Sequence, residues 1–206
     1  FAFVPGLLVI ASLLAGIRGE LPLDLGLVEP YAVLAGTSVT STGTTETVVT
    51  GDMGVYPGYT ITGFPPSLHY GTLNSFNSAA SAAQSALADA YIALAAKTVT
   101  TTVPSQNLGG MTLLPGVFNF GASVGINGIL TLNANGDPAA VWIFQIGSTL
   151  LPAAGSSIVF ANNTGNPNYV YWQVGSSATL GTNSFFVGNI LAQTSITVNT
   201  GATVVG

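Results

Sequence analysis

Side chains that could move protons are few in this sequence, and they are scattered. Histidine occurs once, at His69, and the basic residues are Arg18 and Lys97 alone. Hydrolysis or elimination at a sugar bond needs two carboxylates, or a carboxylate with a basic partner, within reach of one bond. Glu46, Asp52 and Asp137, the acids of the strand-rich segments, are each isolated in sequence. Asp52 in TGDMG and Asp137 in NGDP occupy positions where an Asp side chain bonds its own backbone in a turn. His69 cannot build a multi-histidine metal site, and nothing near it supplies a nucleophile to activate; it reads as a structural residue in the loop before a helix. With no cysteine there is no disulfide framework and no thiolate metal site. The glycines recur as turn punctuation, not as a phosphate cradle. An enzyme is not expected, nor any cofactor or metal.

Hydroxyl groups are the plentiful chemistry, and they repeat. When TSITVNTGATVVG (194–206) is moved back by 18 residues it lies on SSATLGTNSFFVG (176–188). Ser195 then falls on Ser177, Thr197 on Thr179 and Thr200 on Thr182, with apolar residues between them in both copies. A fixed period built of short alternating runs is the signature of a solenoid, in which each coil buries its inner face against the next. Outward residues then stack from coil to coil at the strand spacing of ~4.7–4.9 Å. The outward positions here are Ser, Thr and Asn.

The elements that carry these positions are mostly short strands. Tyr31–Thr62 is rich in β-branched residues and broken by Gly at 36, 43, 51, 54 and 58, which predicts strands and tight turns. GFPPS (63–67) reads as a rigid turn. Asn74–Lys97 is the one helical pattern: Phe76, Ala80, Ala83, Leu87, Tyr91 and Leu94 recur on one face. Asn74 or Ser75 is placed to cap its start, and Lys97 to complement its negative end. The helix is expected to pack alongside the solenoid, and its single narrow apolar face is then used up, so a monomer is expected. From Thr98 the strand pattern returns and continues to Gly206. Trp142 and Trp172 lie in apolar runs and read as core residues with a partner for each indole N–H.

Composition agrees. Of the 206 residues only 4% are charged and 48% are hydrophobic, which argues against disorder. The net charge is −5, and two basic residues cannot form the positive surface that nucleic acid requires. No charge occurs from Phe1 to Ile17, a length that fits the core of a signal peptide. Residues 1–19 are therefore expected to be a signal peptide, incomplete at its N-terminus. Residues 20–206 are expected to be one secreted, extracellular solenoid domain cut short at its C-terminus.

The segments YAVLAGTSVT (31–40), TGDMGVYPG (50–58), ITGFPP (61–66), the Ala-rich helix, LGGMTLLPGVF (108–118), GDPAAVWIFQIGSTL (136–150) and the run from Tyr171 to Gly206 occur in this order. Together they resemble a known family of secreted microbial ice-binding proteins. The resemblance implies a discontinuous right-handed parallel β-solenoid with a flanking helix, whose first coil stacks on the C-terminal one. It implies ice as the partner, with no small-molecule substrate, and antifreeze activity. Some members carry Thr-Ala/Gly-x-Thr/Asn motifs, matched here by Thr42-Gly43-Thr44-Thr45 and Thr200-Gly201-Ala202-Thr203. The resemblance places these two motifs on neighbouring coils. Thr42, Thr44, Thr45, Thr200 and Thr203 are one candidate face for ice. Ser177, Thr179, Ser195, Thr197 and Asn199 are candidates for the adjacent face, with Thr182 at an equivalent, less regular coil position. Any single Thr is explained by β-propensity alone. Two other readings share the fold: a secreted adhesin, and a polysaccharide-active enzyme.

Overall fold

The computed structural model describes residues 25–41 and 48–206. The motif Thr42–Thr45, Glu46 and the apolar N-terminal stretch lie outside the described residues. Short β-branched runs between glycine and asparagine corners fold into coils of three strands each. The first coil is β1 (Tyr31–Ala35), β2 (Ser38–Ser41) and β3 (Val48–Thr50), and the second is β4 (Asp52–Val55), β5 (Thr60–Thr62) and β6 (Leu68–Tyr70). After β7 (Leu73–Ser75) the chain leaves the stack through helix α1 (Ser78–Ala95). It returns by bridges at Thr101 and Asn107 and then by β8 (Thr112–Leu113). Four full coils follow. They are β9 (Gly116–Phe120), β10 (Val124–Ile126) and β11 (Ile129–Leu132); β12 (Trp142–Ile146), β13 (Leu150–Pro152) and β14 (Ser157–Phe160); β15 (Val170–Val174), β16 (Ala178–Leu180) and β17 (Phe185–Val187); and β18 (Asn189–Ala192), β19 (Ile196–Val198) and β20 (Thr203–Val205).

The coils stack into three parallel sheets, the expected β-solenoid. The first sheet runs β7-β4-β1-β18-β15-β12-β9, the second β10-β13-β16-β19-β2-β5 and the third β6-β3-β20-β17-β14-β11-β8. The 18-residue offset is realised in the register, with Ala178 opposite Ile196, Thr179 opposite Thr197 and Phe186 opposite Val204. The stack is not in sequence order. The first coil pairs with the last through β1–β18, β2–β19 and β3–β20. The edge of the last coil, a ready template for foreign strands, is thus covered by the first.

Apolar side chains fill the interior in rows. Phe118, Phe144, Trp172, Ile190, Val33 and Met53 share one register position along the first sheet. Phe144 stacks on Trp172 with ring centroids 3.9 Å apart and on Phe118 at 5.1 Å. Full burial of such side chains contributes ~1.5–3 kcal/mol each. Trp142 donates its indole N–H to the Leu113 carbonyl at 3.2 Å, and Trp172 donates to Val187 at 3.0 Å. Both behave as expected.

Helix α1 covers the outer face of the first sheet. Ala83, Leu87, Ala90 and Leu94 pack on Tyr31, Leu34, Val117, Ile143, Tyr171 and Leu191. Three expectations about the helix are corrected. It starts four residues later than the apolar pattern suggested, because Phe76 takes a left-handed backbone (φ 48°) and breaks the helical run. Phe76 is 62% exposed and stacks on Tyr56 instead of joining the buried face. The cap is Asn77, whose Oδ1 accepts from the Ala80 N–H at 2.8 Å; Asn74 holds that cap in place by accepting from Asn77 Nδ2. At the other end Lys97 lies past the last turn. There Gln145 of β12 donates through Nε2 to the Leu94 and Lys97 carbonyls at 2.7 and 3.0 Å, meeting groups that a helix end leaves unbonded.

Ser184, at the corner before β17, is buried, and among the described residues its hydroxyl has no hydrogen-bond partner. Ala202 occupies the same position in the next coil. Ser184→Ala should therefore raise unfolding stability in urea by about 1 kcal/mol, since an unmatched buried hydroxyl is costly. A loss of stability would show that the hydroxyl contributes a bond in solution.

Candidate functional site

Alternation along a strand sends successive side chains to opposite faces, and the second sheet uses this to separate apolar from hydroxyl residues. Its inward row is Val124, Leu150, Ala178, Ile196, Val39 and Ile61, five of them buried and Ile61 partly so. On the outside the sequence reads Ser-x-Thr on β16 and its lead-in (Ser177, Thr179). It reads the same on β19 and its lead-in (Ser195, Thr197) and on β2 (Ser38, Thr40), and Thr-x-Thr on β5 (Thr60, Thr62). The register aligns Thr179, Thr197, Thr40 and Thr62 in one row. Ser177, Ser195, Ser38 and Thr60 align in a second row, which Thr149 and Ser123 continue just before β13 and β10. Rungs are ~4.7–4.9 Å apart, and the two rows are separated by two residues of strand, ~6.6 Å.

The hydroxyls are held in place by one another. Ser195 Oγ donates to Ser177 Oγ at 3.0 Å, Thr149 Oγ1 to Ser123 Oγ at 2.7 Å and Thr62 Oγ1 to Thr40 Oγ1 at 3.4 Å. Threonine also has little χ1 freedom to lose. None of the six strands carries a charged residue. The β-bulge between Tyr31 and Val33 that shifts register in the first sheet has no counterpart in the second among the described residues. The outcome is a regular, uncharged grid of hydroxyl and methyl groups.

Ser177, Thr179, Ser195 and Thr197 all lie on this grid. Asn199 and Thr200 sit in the turn that leaves β19, and Thr182 is exposed in the equivalent turn one coil away, its carbonyl accepting from the Gly155 N–H. Thr203 lies on the third sheet, between Phe185 and Val48. The outer face of that sheet is largely apolar, with Ile129, Val159, Phe185 and Leu68 exposed. Thr42, Thr44 and Thr45 are outside the described residues. Their flanking strands β2 and β3 pair with β19 and β20, which flank the Thr200 motif. Sequence reasoning missed Ser38, Thr40, Thr60, Thr62, Ser123 and Thr149. The triplets SVT (38–40) and TIT (60–62) match SAT and SIT in type, and that likeness was the available signal.

The two of these acids that lie among the described residues, Asp52 and Asp137, are not brought together. Asp52 starts β4 near one end of the stack, while Asp137 lies in the loop between β11 and β12 towards the other. Asp137 Oδ1 accepts from the Ala139 N–H, as a turn residue does. Asp52 departs from expectation: its Oδ1 accepts from Thr72, on the following coil, rather than from its own turn. Its charge, after burial as the larger cause, also raises the pKa of the Tyr31 phenol. His69 lies on β6 and not in a loop, its Nε2 bonded to the Gly51 carbonyl at 2.8 Å. Among the described residues no group of three His, Cys, Asp or Glu is placed to hold a metal. No helix among them is long and apolar enough to cross a membrane.

Known proteins share this architecture. The profile of a family described as ice-binding-like matches residues 33–206. An ice-binding protein of Nostoc sp. (strain HG1) is 47% identical over 180 residues, covering 87% of this chain and 65% of its own length. The chain thus spans a little under two thirds of that relative. The crystal structure of an ice-binding protein from the Antarctic ascomycete Antarctomyces psychrotrophicus superposes with a TM-score of 0.78 at 36% identity, covering 88% of this chain and 97% of the other. The structure of an ice-binding protein from an Arctic yeast, described for its antifreeze activity, has a TM-score of 0.76 at 25% identity, with 90% and 94% covered.

Gly58 brings β5 close to β2. A Cβ at this position would run into the Thr37 carbonyl. Gly58→Ala is expected to lower the unfolding free energy by about 1–3 kcal/mol, the usual size of an overpacking strain. Urea denaturation checks it, and an unchanged midpoint would mean that β5 does not depend on this close approach.

Proposed function

This chain belongs to the ice-binding-like family, and from that premise we propose that it binds ice crystals through the outer face of the second sheet. The observation that carries the reading is the uncharged double row of hydroxyls aligned across β16, β19, β2 and β5. A free charge holds water in a radial shell of its own, which does not fit a crystal plane. A hydroxyl beside a methyl makes a weaker demand: the oxygen bonds a water, and the methyl leaves that water's other bonds to neighbouring waters. Repeated on a grid, such pairs favour a layer of surface water that merges with the crystal. Protein-bound water of this kind is nearly as good as a direct hydrogen bond. Each contact is weak, so the fixed geometry of the solenoid, with little left to order on binding, makes the sum count.

Adsorbed molecules would make the growing ice front bulge between them, and a curved front grows less readily. Freezing-point depression and slower recrystallisation follow. The chemistry is binding, not catalysis. The reading includes secretion, since ice meets the protein outside the cell, and the uncharged apolar stretch from Phe1 to Ile17 fits a secretion signal. Outside these rows, Thr200, in the turn that leaves β19, and Thr203, on a third sheet that presents mainly apolar groups, are secondary candidates.

Thr197 stands mid-row, between Thr179 and Thr40. Thr197→Tyr would raise a ring above the grid without disturbing the buried face. Thermal hysteresis should fall by about tenfold or more, given the dependence of summed weak contacts on simultaneous engagement. Thr203→Tyr should retain most activity. The opposite ranking, in variants with unchanged melting curves, would move the site to the third sheet.

A further inference from the structure

The two hydroxyl rows differ in length. The row that begins at Thr60 continues through Ser38, Ser195, Ser177 and Thr149 to Ser123. The other row holds Thr62, Thr40, Thr197 and Thr179, and then the register places Leu151 and Gly125 where the next threonines would stand. Leu151 is 47% exposed on the otherwise hydroxyl-bearing face. Its side chain is one atom longer than that of threonine and has no polar group, so it rises above the plane of the grid. Gly125 leaves the plane empty on the next strand. Along β13 and β10 the face therefore keeps one row and loses the other.

We propose that Leu151 and Gly125 set the limit of the ice-contacting face, confining the double row to four coils, and that replacing them extends it. The inference rests on the reading of the second sheet as the ice-binding face. The backbone already permits the change. A Cβ built on Gly125 meets only the Leu151 and Gln106 carbonyls, at 3.8 and 3.9 Å, which is ordinary contact, and Gly125 is not among the glycines of positive φ. Beneath both positions the apolar row is complete, with Val124, Ile126 and Leu150 fully buried. Threonine also suits a strand better than glycine does. Leu151→Thr adds a fifth rung to the short row, and Leu151→Thr with Gly125→Thr adds a sixth.

The test is thermal hysteresis at equal molarity for the unaltered protein, Leu151→Thr and the double variant, with melting curves recorded for each. Leu151→Thr should raise hysteresis by about twofold and the double variant further, because a sum of weak simultaneous contacts grows steeply with their number. Leu151→Ser, which lowers the side chain and restores a hydroxyl without the methyl, should give a smaller rise and serves if the threonine variant folds poorly. Unchanged or reduced hysteresis in folded variants would overturn the proposal and show that Leu151 itself contacts ice or that contact ends before β13. An unaltered protein without hysteresis would instead sink the ice-binding reading.

Discussion

Where β2 lies against β19, strands from the two ends of the described chain are hydrogen-bonded in register, with Val39 opposite Ile196 and Thr40 opposite Thr197. This parallel pairing closes the edge that the last coil would otherwise leave open. It also joins two half-sites. Ser177, Thr179, Ser195 and Thr197 come from one side of the junction, and Ser38, Thr40, Thr60 and Thr62 from the other. Neither half alone has more than two coils of double row. The same junction carries Val33 and Ile190 into one interior row and Val49 and Val204 into another. Packing, edge protection and the extent of the hydroxyl grid therefore depend on one interface.

That dependence explains the helix. A chain that must bring its first coils to the end of its last one has to cross the length of the stack, and α1 does so along the first sheet. Alanines at 80, 83 and 90 let it lie close, and Gln145 fixes its far end. The first sheet is thereby covered. The third sheet is left with Ile129, Phe185 and Leu68 exposed between hydroxyls. Among the described residues, the second sheet is the one whose outward positions form two aligned rows of hydroxyls across four strands. The division of labour among the faces follows from which residues alternate outward in each strand.

Much of this was legible in the sequence, and the exceptions have physical reasons. The 18-residue offset predicted the pairing of Ser177 with Ser195 and of Thr179 with Thr197, because those coils are consecutive and equal in length. Thr40 and Thr62 were overlooked because they join the same row through a non-sequential junction and across coils of different length, where no fixed period shows them. The helix start was misplaced because Asn74, Ser75 and Asn77 are all sound caps by type. The left-handed backbone at Phe76, invisible in composition, selects Asn77. Thr203 shares a motif with Thr200, yet the turn between them carries it onto a different sheet.

The claim that the second sheet meets ice is tested most directly by nuclear magnetic resonance on the frozen protein, measuring magnetisation transfer from ice protons to assigned methyl groups. Transfer is expected earliest to the methyls of Thr40, Thr62, Thr179 and Thr197, with Val48, Val159 and Ile129 of the third sheet lagging behind. Earlier transfer to those third-sheet methyls, with the threonines silent, would contradict it.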